Sequence, residues 1–373
     1  MLIKRVIELV ILLCGIQSTQ AYGQVVGPLA SAQSDKTPKY RIVDLGHLPG
    51  GLGSYATAVN KSGQIAGSDY FNYENNTISA PRAFLYDDGR IVDLGTLGGV
   101  ASAATGINVH GHVVGSASIA SDPYFSRHAF FYDGTMHDLG TLGGSTSEAL
   151  RINKTDQVVG YARLNDFVSH AFLYDGSIHD LGTLGEMTNS QANDINDQGQ
   201  IVGVSWDSNT VPTNFRAFLY DGTFHDLGTL GGSTSIAAAI NNKGVVVGTS
   251  QILSGVNHAF LYDGSMHDLG SFADGITFAN AINKRGQVVG SWATYDAQGS
   301  QKGLGAFLYQ EGTLYDLMAL LDSGGDEWVQ LIEAAAINNS GQIVGAGIKT
   351  DGVHAFRLDQ VREDENDGND SDE

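Results

Sequence analysis

Histidine and aspartate are the side chains of this sequence whose types and spacing could do chemistry. Eight of eleven histidines fall at two recurring positions. His128, His170, His258 and His354 each precede Ala-Phe, and His137, His179, His225 and His267 each precede Asp-Leu. Imidazoles repeated beside carboxylates are what a ring of metal sites would use, but every copy would then need its ligands. Arg82, Arg216 and Gly305 stand in the first set elsewhere, and Val43, Val92 and Tyr315 in the second. Arg, Gly and Val cannot replace a histidine on a metal, so no metal and no cofactor is expected. The histidines read instead as half-exposed strand residues that hydrogen-bond within their own unit. The Asp-Leu aspartates (Asp44, Asp93, Asp138, Asp180, Asp226, Asp268 and Asp316) are equally poor catalysts. A catalytic carboxyl pair needs two unlike environments that part its pKa values, whereas a repeated position sees similar ones. These read as hydrogen-bond acceptors at turns or between strands.

Residues outside the repeat are better guides. Trp206, Trp292 and Trp328 fall in stretches expected to be connections, with Tyr70, Phe71, Tyr73, Tyr124, Phe125 and Tyr295. Exposed aromatic rings stack on sugars or anchor a protein partner; the competing reading is that they fold over and seal loop ends. The candidate ligand-binding residues are Tyr70, Phe71, Tyr124, Phe125, Trp206, Trp292, Tyr295 and Trp328. An enzyme would instead draw on the unpaired acids Asp69, Glu74, Asp207, Asp296, Asp326 and Glu327. No nucleophile elbow, phosphate loop or His-Glu-x-x-His motif occurs, so catalytic residues stay unassigned.

The elements that must position these side chains follow from the repeat. Asp-Leu recurs seven times at steps of 42 to 49 residues, the period of a β-propeller with one unit per blade. Each unit holds four short apolar blocks of the types AxAIN, GQVVG, HAFLYDG and HDLG. From the Asn of the first block to the closing Gly of the second is seven residues in every copy, across an Asn-x-x-Gly turn. Gly supplies positive φ there, and Asp156, which replaces it in the third unit, tolerates that conformation. The second constant junction is Tyr-Asp-Gly, a strong hairpin signal between alternating apolar runs. The repeat opens on an Asp-Leu-Gly strand and ends on an Ala-Phe strand, each missing the other as a partner. The expected fold is therefore all-β: a seven-bladed propeller of four-stranded antiparallel blades, residues 40–358, closed by the N-terminal strand completing the last blade. The Asn strand would lie innermost. Both constant turns then fall on one face of the disc and both variable connections on the other, where a site is expected. The long connection 318–336 is expected to cap the ring near the closure seam, the alternative being a ligand loop, and it could form a short helical turn over 327–333.

Residues 1–23 read as a secretory signal peptide, with Lys4 and Arg5 before the apolar run 6–13. Residues 24–39 read as a linker and 359–373 as an acidic disordered tail. The only cysteine, Cys14, lies in the leader, so disulfides play no part. Lys+Arg number 20 against 41 Asp+Glu, a formal charge of -21. That excess excludes a nucleic-acid partner, whose phosphates need a basic face, and no membrane insertion of the mature chain is expected.

The motif His-Ala-Phe-Leu-Tyr-Asp-Gly followed by His-Asp-Leu-Gly, clearest at 170–182 and 258–270, with Thr-Leu-Gly-Gly at 141–144 and 229–232, resembles the HAF-repeat family of extracellular bacterial proteins. The resemblance spans residues 40–358. It implies secretion and a propeller-like repeat, and it carries no catalytic residues. The reading is a secreted binding or interaction module that takes an extracellular glycan, cell-surface material or a protein on its variable face. The alternative is an extracellular hydrolase or lyase on the same scaffold.

Overall fold

The computed structural model describes residues 37–73, 78–165, 167–207 and 214–361, except the side chains of 72, 73, 78, 79 and 123–125. The expected signal peptide, most of the linker and nearly all of the acidic tail lie outside the described residues. Seven antiparallel sheets radiate as blades. In chain order they span 54–93, 98–138, 147–182, 189–226, 231–268, 276–316, and 328–360 joined by Tyr40–Asp44. Within each blade the Asn strand is innermost and the Asp-Leu strand outermost. Tyr40–Asp44 pairs antiparallel with Gly352–Gln360, from Tyr40 opposite Gln360 to Asp44 opposite Phe356, so the chain's first strand completes its last blade. The final strand runs to Gln360, and the Val361 N–H then donates to the Lys39 carbonyl at 2.9 Å.

Local chemistry explains each blade. The Asn-x-x-Gly turns put Gly63, Gly111, Gly199, Gly244, Gly286 and Gly341 at positive φ, and Asp156 takes φ 63° in their place. Every inner strand then carries a bulge, for example between Ala149 and Arg151, facing the invariant Gly of the second strand. A Cβ on any of these seven glycines, Gly160 among them, would lie under 3.0 Å from a carbonyl oxygen of the inner strand. The glycine is needed for close approach, not for turning. Outside it packs the Ala-Phe phenylalanine. Phe84, Phe130, Phe172, Phe218, Phe260, Phe307 and Phe356 are all fully buried.

Seven apolar clusters hold the disc, each lying between two neighbouring blades. The cluster of Leu45, Leu48, Phe84, Val344 and Ala355 joins the first blade to the last. No blade owns a core of its own, so stability is shared between neighbours.

Two polar rings reinforce the packing. The Nδ2 of each turn Asn donates to the backbone carbonyl of the next turn Asn: Asn60 to Asn108, then to Asn153, Asn196, Asn241, Asn283, Asn338 and back to Asn60, at 3.0–3.2 Å. The Oδ1 meanwhile accepts backbone N–H groups of its own turn, as from Thr155 and Gln157 to Asn153. The second ring uses a hydroxyl six residues before that Asn. Ser54, Ser102, Ser147, Ser190, Ser235 and Thr277 each accept an Ala N–H from the neighbouring blade and donate to an Asp-Leu-Gly carbonyl. Ile332 holds that place in the seventh blade, and the ring is interrupted there.

One expectation needs correction at 318–336. The connection forms 3-10 turns at Met318–Leu320 and Gly325–Glu327 instead of a helical turn over 327–333, which is largely the inner strand Trp328–Ile337. Between the turns, Leu321–Ser323 pairs parallel with Tyr40–Asp44, giving the last sheet a fifth strand. The extra residues of this connection cover the edge of the strand that closes the ring, an edge that would otherwise stand unpaired.

Candidate functional site

The inner strands bring one position per blade to the mouth of the central channel on the variable face. It lies five residues before the turn Asn and is occupied by Tyr55, Ala103, Glu148, Gln191, Ile236, Phe278 and Glu333. Buried residues flank six of them on both sides, yet all seven are half-buried, as expected where inner strands converge on an open axis. A hydroxyl residue precedes it in six blades and an Ala follows it in all seven, while the position itself changes from blade to blade, as do the two places after that Ala.

Five blades make it polar or aromatic. Tyr55 packs edge-on against Tyr70, with ring centroids 5.5 Å apart. The Tyr161 hydroxyl donates to Glu148 Oε2 at 3.0 Å. Asn280 Nδ2 donates to Glu333 Oε1 at 3.2 Å. Burial raises the pKa of both Glu148 and Glu333; for Glu148 the Tyr161 hydrogen bond and the Arg127 charge partly oppose it. Tyr55, Tyr70 and Tyr161 are likewise pushed up, first by burial. The Tyr55 hydroxyl feels both Tyr70 and Glu333, and Tyr70 feels Arg127 and Glu148. These groups therefore form one electrostatic neighbourhood drawn from several blades.

Deeper in the channel the bulged inner residues tie neighbours together: Thr57 to the Ala104 carbonyl, Thr105 to Ala149, Asn193 to Ala237 and Asn280 to Ala334, at 2.7–3.0 Å. Asp194 accepts N–H groups from Ile240 and Ile195, and burial outweighs these and the Arg151 charge to lift its carboxyl to about 6. The arrangement offers phenol faces, an amide and two carboxyls held toward the neutral, donating form. Such a surface matches a ligand rich in hydroxyl groups.

The structure scatters the aromatic candidates read from sequence. Trp206, Trp292 and Trp328 sit in strands, not in connections. Tyr70 alone joins the channel mouth. Phe71 is half-buried beside the first blade's core. Trp206 packs on Phe215 at 6.1 Å between centroids. Trp292 packs on Phe272 at 4.9 Å. It also covers Gly305, where a Cβ would meet its Nε1 at 2.7 Å. The indole thus takes the room that a His or Arg fills in other blades. Trp328 is 6% exposed and belongs to the core at the closing blade. Tyr295 is 40% exposed at a strand end. Tyr124 and Phe125 lie in the strand Asp122–Tyr132, and their side chains lie outside the described residues, as does that of Tyr73. Sequence reading missed Tyr55, Glu148, Tyr161 and Glu333, and also Phe167, which is 87% exposed on the variable face. The available signal was an inner-strand position that varies between a near-constant hydroxyl residue and a constant Ala.

Each repeated histidine pairs with a carboxylate. His128, His170, His258 and His354 each meet the Asp-Leu aspartate of their own blade at 2.8–3.0 Å, and Arg82 and Arg216 do the same. His137, His179, His225 and His267 each meet the turn aspartate four residues earlier at 2.9 Å. A groove of about 540 Å³ lies further out on the variable face, lined in part by Met187, Asn214, Arg216 and Asp226. Arg216 and Asp226 are already paired there, and few aromatic or unpaired polar groups converge on it, so the channel mouth is the better candidate.

Known proteins add the following. Residues 185–277 and 231–369 match the model of a family described as a protein of unknown function, DUF3466. The two stretches together cover just under half of the chain. No curated protein matches the sequence. Among solved structures, the chain is similar to the β-propeller domain of the Trilobed protease from Pyrococcus furiosus, with TM-score 0.55, 11% identity, and coverage of 83% of this chain and 94% of that one. That propeller is described as having an open velcro topology, whereas here the N-terminal strand pairs with the last one. Acylaminoacyl peptidase from Pyrococcus horikoshii aligns at TM-score 0.38 and 11% identity over 71% of this chain and 52% of its own. The six-bladed, fucose-recognising lectin of Aleuria aurantia aligns at TM-score 0.37 and 11% identity over 87% and 95%. At these identities the likeness speaks for the propeller fold alone.

Proposed function

We propose that this chain is a secreted binding propeller that takes an extracellular glycan at the channel mouth on its variable face. One observation carries the reading. The inner-strand position that reaches the axis escapes the repeat, and it gathers Tyr55, Glu148, Gln191, Phe278 and Glu333 beside Tyr70 and Tyr161. Aromatic faces with amide and carboxyl groups suit sugar rings and their hydroxyls. The likeness of the repeat motif to HAF-repeat proteins and the positively charged, apolar N-terminus support secretion. Among the described residues no helix is long and apolar enough to cross a membrane.

Glycan-array screening followed by titration calorimetry tests this. Tyr55→Ala with Tyr70→Ala should weaken binding at least tenfold, while Trp206→Ala with Trp292→Ala should leave it within about threefold. Absence of any glycan binding by the wild type, or full binding by the tyrosine variant, overturns the reading.

An extracellular hydrolase or lyase is the second reading, favoured by Glu148 and Glu333 being held toward their protonated forms. A carboxyl whose burial favours the protonated form can act as a general acid. Release of new reducing ends from a bound oligosaccharide, lost in Glu148→Gln, would select this reading over simple binding.

A further inference from the structure

The seam where the chain closes gathers a second cluster, separate from the channel mouth. His47 follows the closing strand, and His354 lies in the last strand of the repeat. Their Nε2 atoms face each other at 3.4 Å, with the rings at 70°. Behind each ring stands a carboxylate. His47 Nδ1 lies 3.4 Å from Asp69, whose side chain is fully buried and also accepts the Leu48 N–H at 2.7 Å. His354 Nδ1 lies 3.0 Å from Asp44, and His354 is itself only 6% exposed. A carboxylate cannot donate, so both Nδ1 atoms carry a hydrogen, and this directs both Nε2 atoms into the same space. Asp351 adds a third acceptor, with Oδ1 3.1 Å from His354 Nε2. Without an ion, a hydrogen on His354 Nε2 joins these atoms, and a divalent cation would take that hydrogen's place. The nearest lysine, Lys349, is engaged elsewhere by Asp44 and Glu327, each at 2.9 Å.

The geometry points to a divalent transition-metal site at the seam, of the Zn²⁺ class, with His47 Nε2 and His354 Nε2 as ligands and the Asp351 carboxylate as the third. An ion about 2.0–2.1 Å from two imidazole nitrogens in tetrahedral geometry sets them about 3.3–3.4 Å apart. That is the separation His47 and His354 already have. A carboxylate on the far nitrogen of each ligating histidine is the usual support for such a site, fixing tautomer and ring direction. As the side chains stand, no three such groups among the described residues are placed closely enough to hold an ion. The pair supplies two ligands, and the 69% exposed Asp351 carboxylate swings in as the third. The fourth position faces solvent. Such an ion would join the first strand's loop to the last strand and clip the ring shut, stabilising the folded chain by mass action.

The test is calorimetric titration of Zn²⁺ into the whole mature chain after chelator treatment and dialysis, with Co²⁺ visible absorption reporting ligand geometry. The wild type should bind one ion tightly, show the strong absorption of four-coordinate Co²⁺, and gain melting temperature with Zn²⁺. His47→Ala should lose at least tenfold in affinity, the Co²⁺ band and the thermal gain; Asp351→Asn should lose severalfold. His179→Ala, on an exposed His-Asp pair, should change none of these. Circular dichroism checks that His47→Ala is folded, with His47→Gln as the substitute if it is not. No tight uptake by the wild type, or uptake undiminished by loss of the His47 imidazole, overturns the proposal.

Discussion

Asn153→Ala tests the idea that the ring of turn asparagines ties the blades together. The side chain is buried, 3% exposed. Its Oδ1 accepts from Thr155 N at 3.0 Å, Gln157 N at 3.0 Å and Thr155 Oγ1 at 2.9 Å. Its Nδ2 donates to Gln157 Oε1 at 2.8 Å and to the Asn196 carbonyl of the next blade at 3.2 Å. Each hydrogen bond contributes about 0.5–1.5 kcal/mol net. Water can replace the partners on the exposed turn but not the buried link to Asn196, so we expect a loss of about 2–4 kcal/mol. Urea unfolding followed by tryptophan fluorescence and circular dichroism measures it, and coincidence of the two probes checks that one transition is being read. Asn153→Asp separates the two halves of the side chain. It keeps the bonds to Oδ1 but turns an acceptor toward the Asn196 carbonyl, which disfavours the ionised form. The folded-state pKa of the new carboxyl is then raised, so the variant is least stable at neutral pH. It regains stability as pH falls through that pKa, when a protonated oxygen can donate. An Ala variant within 0.5 kcal/mol of wild type, or an Asp variant whose deficit does not shrink on acidification, would refute the reasoning.

Three further outcomes follow from the same structure. Gly160→Ala drives a methyl group into the Glu148 carbonyl and should cost more than about 3 kcal/mol or prevent folding, as overpacking and lost strand pairing combine; Gly176→Ala, in an open turn at φ 114°, should cost less than half as much by the same denaturation assay. Ile42→Asp places a charge in the core where the first strand meets the last blade, and limited proteolysis should then cleave near residue 45 well before any site in the middle blades. Glu333→Gln should raise the melting temperature at pH 7, because burial alone lifts this carboxyl and the native state bears the cost of ionising it. That cost is absent below the unfolded-state pKa and grows as pH rises through the folded one, so the gain should vanish near pH 4; a gain that persists in acid would contradict the assignment.

Much of the architecture was legible because it is local and repeated. A turn such as 153–156 has its Asn and its left-handed residue within four positions, and the pattern needs no distant partner to be recognised. The loose ends of the repeat implied closure by the same logic, since a strand without a hairpin partner has to find one. The site was less legible. The large aromatics in unrepeated stretches drew attention, yet Trp328 fills the core and Trp292 fills the room left by Gly305. Ring size says that a side chain buries area, not whether it buries it against protein or ligand. Glu148 and Glu333 sit inside well-formed strand blocks and looked unremarkable there.

By itself the sequence determined the period, the two constant turns, the strand order within a blade and the identity of the closing strand, because each rests on short-range backbone chemistry repeated often enough to be read. Only the tertiary structure decided what meets at the axis and at the seam. Glu148 and Glu333 converge from opposite parts of the chain, and His47 meets His354 across 307 positions, because closing a ring makes neighbours of residues that no local rule connects.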